Sequence, residues 1–153
     1  MNAASKTGSL IGYACAYTPL VLLDAAGYTP YRILPMSDCP DQAGQLLHDN
    51  LCPHVKRILD RALDGDLPPL AGMIVVNSCD AMRRLADAWA HVNPEARIIL
   101  LDLPAVADDA AVAFFAGELS RLADALTQWG GRTLTDPNIA ASIAQYNKLP
   151  LLF

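Results

Sequence analysis

Short apolar runs alternate with amphipathic stretches along most of this chain, and that alternation constrains the fold more than any other feature. "GMIVVNS" (72–78) is apolar without alternation, the mark of a strand covered on both faces. It leads into "DAMRRLADAWAHV" (80–92), where Met82, Leu85, Ala86 and Trp89 share one side of a helix. "ARIILLDLP" (96–104) reads as another buried strand, and "DDAAVAFFAGELSRLADALTQWGG" as a long amphipathic helix closed by a glycine pair. Upstream, "SLIGYAC" (9–15) and "TPYRILP" (29–35) read as strands. "TPLVLLDAAG" between them reads as a helix with Thr18 as cap, Pro19 in its first turn and Gly27 at its end. "CPHVKRILDRALDGDL" brings Val55, Ile58, Leu59, Ala62 and Leu63 onto one face, "MSDCPDQAGQLLHDN" before it is mostly loop, and "TDPNIAASIAQYNKL" starts a helix capped by Thr135 or Asp136. The pattern predicts an α/β fold: a Rossmann-like three-layer sandwich, with a mostly parallel sheet of about four strands and helices on both faces. In such sheets ligands sit at the carboxyl ends of the strands. Cys15 and Cys79 fall at two of those ends.

Composition narrows the function classes. The chain has 153 residues, 53% hydrophobic and 18% charged, which suits one domain with a real core and argues against disorder. So little charge implies that some apolar surface is covered by a partner or by another domain. The net charge of −5 and scattered basic residues argue against a nucleic-acid partner. The apolar runs fall short of the ~20 residues of a membrane span, so the expectation is a cytoplasmic protein with no membrane partner. Four cysteines in that compartment point to free thiols, ligands or catalysts before disulfides.

Cys52 precedes Pro53 at the start of one helix, and Cys79 precedes Asp80 at the start of another. The first turn of a helix offers unpaired N–H groups and a partial positive charge, which favour a thiolate or an anionic metal–sulfur cluster. Thiolates are the usual ligands of soft iron–sulfur centres. No C-x-x-C occurs, so the spacing of Cys15, Cys39, Cys52 and Cys79 is not diagnostic by itself. Buried inert cysteine is the alternative.

Three stretches carry a resemblance. "IGYACAYTPLVLLDAAGYTPYRI", "DNLCPHVKRILDRAL" and "VVNSCDAMRRLADAW" resemble, in order and spacing, the motifs of the 2-hydroxyacyl-CoA dehydratase and benzoyl-CoA reductase family. "FFAGELSRLADALTQWGGRTLTDPNIAASIAQYN" is similar to the segment that follows them, so the resemblance runs from about Gly8 to near the end. It implies an iron–sulfur subunit that eliminates water by radical chemistry from an acyl-CoA thioester bound at an open iron of a [4Fe–4S] cluster. Cys52 and Cys79 match two cluster ligands, with the third expected from outside this chain, and Cys15 is a weaker candidate for ligand or cofactor contact. The implied partners are the acyl-CoA substrate, a second dehydratase subunit and an ATP-dependent iron–sulfur activator. The alternatives are a non-catalytic truncated domain or assembly piece, and a benzoyl-CoA reductase-like or double-cubane reductase subunit. On this reading residues 1–8 are a flexible tail and 9–131 the cluster-binding α/β domain. Residues 132–153 are the loosely anchored start of an interdomain helical segment in a chain that looks truncated.

The chain departs from the family pattern at Leu20 and Val21, where acidic residues are common, and at Asn77, where histidine is frequent. Ser78 is the catalytic candidate, as a donor to a cluster sulfide or thioester oxygen. His54 and Asn77 are substrate candidates, with a solvent-facing helix position as the plainer reading of His54. Arg83 and Arg84 could meet CoA phosphates but read more simply as a solvated face. His48 and His91 read as surface, Trp89 and Trp129 as helix–sheet packing, and Asp80 as an N-cap. Cys79 as a nucleophile would need a base that the sequence does not supply.

Overall fold

The computed structural model describes residues 8–36 and 41–148. The elements in chain order are β1 (Leu10–Tyr13), α1 (Leu20–Ala25), β2 (Thr29–Arg32), a 3-10 turn (Ala43–Gln45) and α2 (Pro53–Leu63). Then follow β3 (Leu70–Asn77), α3 (Asp80–Val92), β4 (Ile98–Asp102), α4 (Asp109–Gln128) and α5 (Asp136–Tyr146). All strand pairings are parallel and the sheet order is β2-β1-β3-β4. The α/β class, the parallel four-stranded sheet and the two helical layers expected from the sequence are therefore all present.

The order fixes the layers. The chain steps one way from β1 to β2, then crosses back past β1 to reach β3. With right-handed crossovers, reversing direction puts the next helix on the opposite face. Val55, Ile58 and Leu59 of α2 accordingly pack with Met82, Leu85 and Trp89 of α3 against Met73 and Val75. Leu23 of α1 and Leu122 and Leu126 of α4 pack against Ile74 and Val76 on the other face. Consecutive residues of β3 thus feed two cores, which is why that strand reads as an unbroken apolar run. Each fully buried Leu or Ile contributes about 1.5–3 kcal/mol. Gly72 allows the tightest contact between layers: a Cβ there would lie 2.5 Å from the Trp129 ring.

Several local readings are corrected. Thr18 does not cap α1. Its hydroxyl donates to the Cys15 carbonyl at 2.8 Å, tightening the turn after β1, while Pro19 occupies the cap position. Asp80 is the first residue of α3 and not its cap; Cys79 stands there, and Asp80 pairs with Arg83 at 3.0 Å. Thr135 does stand at the cap position of α5, as expected, although its side chain makes no cap bond. β2 and β4 are shorter than read. β4 is an edge strand covered on both faces, as read: Ile99 and Leu101 are buried in one core, and half-buried Ile98 and Leu100 pack against the other. Gly27 ends α1 as expected, at φ +88°, with Gly27 N–H on Asp24 O and Tyr28 N–H on Leu23 O. That pairing satisfies the last carbonyls of the helix.

α4 is much longer than the strand it covers. Its end meets the amino end of β4, where Arg97 Nη1 donates to Trp129 O at 2.6 Å. Glu118 is level with the carboxyl end, where its Oε2 accepts the Asp102 N–H at 2.9 Å. Residues 109–117 therefore project about 13 Å past the sheet, at about 1.5 Å per residue. The overhang exposes Val112 (65%) and Phe114 (50%), and Val106 and Tyr17 are exposed at the same edge. This uncovered apolar surface is the counterpart of the chain's low charge content. α5 is anchored on α1 and is not loose: buried Ser142 donates to Asp24 Oδ2 at 2.6 Å, and Arg132 N–H bonds Ala26 O at 2.9 Å.

Candidate functional site

The chain reverses the direction in which it steps across the sheet between β1 and β3, which makes their carboxyl ends the place where open parallel sheets bind ligands. Three cysteine-bearing segments meet this edge: the turn after β1 (Cys15), the start of α2 (Cys52) and the start of α3 (Cys79). Cys52 and Cys79 are each the cap residue of their helix, without a side-chain cap bond, and both are exposed. The two helices lie side by side on the same face of the sheet. The first-turn N–H groups of both point toward this edge, with their partial positive charge. Cys79 is extended (φ −164°, ψ 165°), which swings its side chain out of the helix axis.

Cys15 is half-buried, and its Sγ lies 3.2 Å from Ser78 Oγ. This contact joins the β1 turn to the β3–α3 turn, so Cys15 and Ser78 are neighbours of Cys79. Among the described residues, no three His, Cys, Asp or Glu side chains gather closely enough to hold a metal ion. Cys15, Cys52 and Cys79 are thus at one edge without forming a closed triad. Cys52 and Cys79 are exposed sulfur donors of the soft type.

Asn77 closes β3, opposite Asp102 at the end of β4. Its Nδ2 donates to Asp102 Oδ1 at 2.6 Å. Asp102 is anchored in turn by Glu118, and Arg121 binds both Glu118 (Nε to Oε1, 3.0 Å) and the Leu100 carbonyl (2.6 Å). The Arg121 hydrogen bond holds the Glu118 carboxyl below its usual range, against the opposing effect of burial. A carboxyl depressed by folding stabilises fully above its unfolded value, and that contribution is lost as pH falls through the folded one. We predict that α4 loosens from β4 as pH drops below about 4.5, and that Glu118→Gln flattens this acid limb in a pH series of melting curves. Sequence reasoning misses Asp102, Glu118 and Arg121. The one signal it offers for them is a carboxylate closing the apolar run "IILLD" at a strand's carboxyl end.

His54 is half-buried in the first turn of α2, next to Cys52, and does not face solvent fully. Leu20 and Val21 are half-buried in the first turn of α1. Arg83 and Arg84 form the solvated face expected of them, paired with Asp80 and Asp87. His48 and His91 are exposed, Trp89 is buried and Trp129 packs over β3. Cys39 lies outside the described residues. Two hollows, of about 480 and 600 Å³, lie at the amino ends of the strands, one beside Leu70 and Arg97 and the other beside Ser9 and Thr29. They sit at the opposite edge from Cys15, Cys52 and Cys79. No helix among the described residues is long and apolar enough to cross a membrane.

Known proteins match this arrangement along nearly the whole chain. The family described as 2-hydroxyglutaryl-CoA dehydratase, D-component, matches residues 15–150, which include Cys15, Cys52 and Cys79. A benzoyl-CoA reductase subunit of Thauera aromatica is 26% identical over 148 residues, covering 95% of this chain and 38% of that protein. The (R)-phenyllactyl-CoA dehydratase beta subunit of Clostridium sporogenes is 23% identical over 150 residues, covering 97% and 40%. The chain therefore spans about two fifths of the length of these curated relatives. With a match over far more than half of its length, the chain belongs to the 2-hydroxyglutaryl-CoA dehydratase D-component family.

Proposed function

We propose that this chain is the α/β half-site of an iron–sulfur subunit acting on an acyl-CoA thioester, with Cys52 and Cys79 as two ligands of a [4Fe–4S] cluster. The observation that carries the reading is the placement of both exposed thiols at the starts of adjacent helices on one face of the sheet. A bound cluster would supply one-electron chemistry and an open iron for the substrate. The chain's own contributions are simpler. Two soft sulfur donors stand at the starts of helices, where first-turn N–H groups are unpaired. Ser78 holds a hydroxyl 3.2 Å from Cys15 Sγ, available to donate to a sulfur or to a thioester oxygen. His54 and Asn77 flank the two ligand positions as substrate contacts. Cys15 takes part as a neighbour of this turn, with a weaker claim to ligation.

The third ligand comes from another unit. The two-fifths coverage of the relatives and the apolar overhang of α4 at the same edge support that view. The partners in this reading are a second dehydratase subunit and an ATP-dependent iron–sulfur activator, and the reaction is radical elimination of water. Dehydration is preferred over reduction because the family carries the dehydratase description, although one of the two relatives is a reductase subunit.

The test is anaerobic reconstitution with iron and sulfide. The chain should turn brown, with broad sulfur-to-iron charge-transfer absorption that is lost when both Cys52 and Cys79 are alkylated beforehand. A protein that stays colourless contradicts the proposal.

A further inference from the structure

We propose that Asp102 is a positioning residue. It locks the Asn77 carboxamide in one orientation, so that the β3–α3 turn offers a neutral hydrogen-bond acceptor, Asn77 Oδ1, beside Ser78 and Cys79. Its role toward a ligand rests on the functional reading above; the geometry does not.

The chemistry of the pair fixes the orientation. An ionised carboxylate can only accept hydrogen bonds, whereas a carboxamide has a donor end and an acceptor end. Facing Asp102, Asn77 must turn its NH2 group inward, and it does so at 2.6 Å. A carboxamide without such a partner has two near-equivalent orientations related by a flip. Here one is selected, and Oδ1 is left on the side away from Asp102. The lock is itself rigid. Asp102 is held through its backbone by Glu118, and β4 is pinned to α4 by Arg121 on the Leu100 carbonyl. On the other side the chain turns tightly, with Ser78 N–H on Val76 O at 2.8 Å, and Cys79 follows in its extended conformation. The carboxylate thus stands on β4, one strand away from the cysteine, and a neutral amide stands two residues before it. The ligand group this arrangement favours is a hydrogen-bond donor, such as a hydroxyl; an anionic oxygen would meet the amide oxygen unfavourably.

Exchanging the two side chains separates positioning from mere support of the sheet. Asn77→Asp alone sets two carboxylates against each other and should lower the melting temperature. Adding Asp102→Asn restores a carboxylate–carboxamide pair of reversed polarity, and the melting temperature should return to near that of the unmodified chain. Asp102→Asn alone keeps a hydrogen-bonding partner but lets Asn77 present either end, so the single pair of Asn77 side-chain amide signals in the 15N spectrum should broaden or double. If that pair stays single and unshifted in Asp102→Asn, the carboxylate does not select the orientation, the pair only ties β3 to β4 and the proposal is overturned. If the exchange does not fold, the 15N spectrum of the unmodified chain decides. Asn77 side-chain amide signals that shift with a carboxylate titration support the lock, and signals that do not respond overturn it. Neither readout needs bound iron, so this result and that of the cluster test are independent.

Discussion

Replacing Asp60 by alanine is expected to cost about 3 kcal/mol, lowering the melting temperature by roughly 6–12 °C for a chain of this size. Asp60 is fully buried on α2, and its Oδ1 accepts the backbone N–H groups of Gln42 (2.9 Å) and Ala43 (2.7 Å). Ala43 is fully buried as well. Removing the carboxylate leaves donors unpaired away from water, where each charge-assisted bond is worth about 1.5–3 kcal/mol. The contact of Oδ2 with the more exposed Arg57 (3.2 Å) contributes less. Asn is therefore expected to be far milder than Ala. Its single carbonyl oxygen can still take both N–H groups, and a loss of about 1 kcal/mol should remain. Thermal melts of the two variants check the order. The effect reaches the site, because the residues tethered by Asp60 lead toward Cys52. Amide exchange across 42–52 should quicken in Asp60→Ala and stay slow in Asp60→Asn.

Which parts of this are legible in the sequence depends on how local the signal is. β3 can be read directly, because burial on both faces removes polar alternation from "MIVV". The end of α1 can be read from Gly27, since a left-handed turn asks for glycine. The caps fail for a different reason. Thr18 and Asp80 have the right side chains, but the turns place Pro19 and Cys79 at the cap positions. The edge position of β4 is not legible, because it is a property of strand order. The placement of Cys52 and Cys79 at helix starts is legible from Pro53 and from the end of the β3 run. That both lie on one face follows from the crossover at β1, which no local pattern encodes. The Asn77–Asp102 pair depends on the register of two strands 25 residues apart and is invisible for that reason. Asp60 is hidden similarly: a carboxylate on a helix ordinarily faces water, and only the folded 3-10 turn gives it two backbone partners.

The second large effect concerns the cysteines taken one at a time. Cys52→Ser and Cys79→Ser should each abolish retention of iron and sulfide, a drop of more than roughly tenfold, because a hydroxyl oxygen is a poor ligand for a soft centre. Cys15→Ser should retain most of it. Its sulfur is half-buried against Ser78 Oγ, and a serine there preserves a hydrogen bond at that contact. All three variants should melt near the unmodified chain, since Cys52 and Cys79 are exposed and make no cap bond. An equal loss in all three would move Cys15 into the ligand set. Retention in Cys52→Ser or Cys79→Ser would remove that residue from it.

The most direct measurement is iron and acid-labile sulfide content of the anaerobically reconstituted chain, taken with its absorption and EPR spectra. A cluster half-site predicts iron and sulfide in equal amounts, about four of each per chain or per dimer, with an EPR signal of a cubane cluster on reduction. A chain that retains no iron, or holds it equally well after both Cys52 and Cys79 are replaced, would contradict the assignment of these two thiols as cluster ligands.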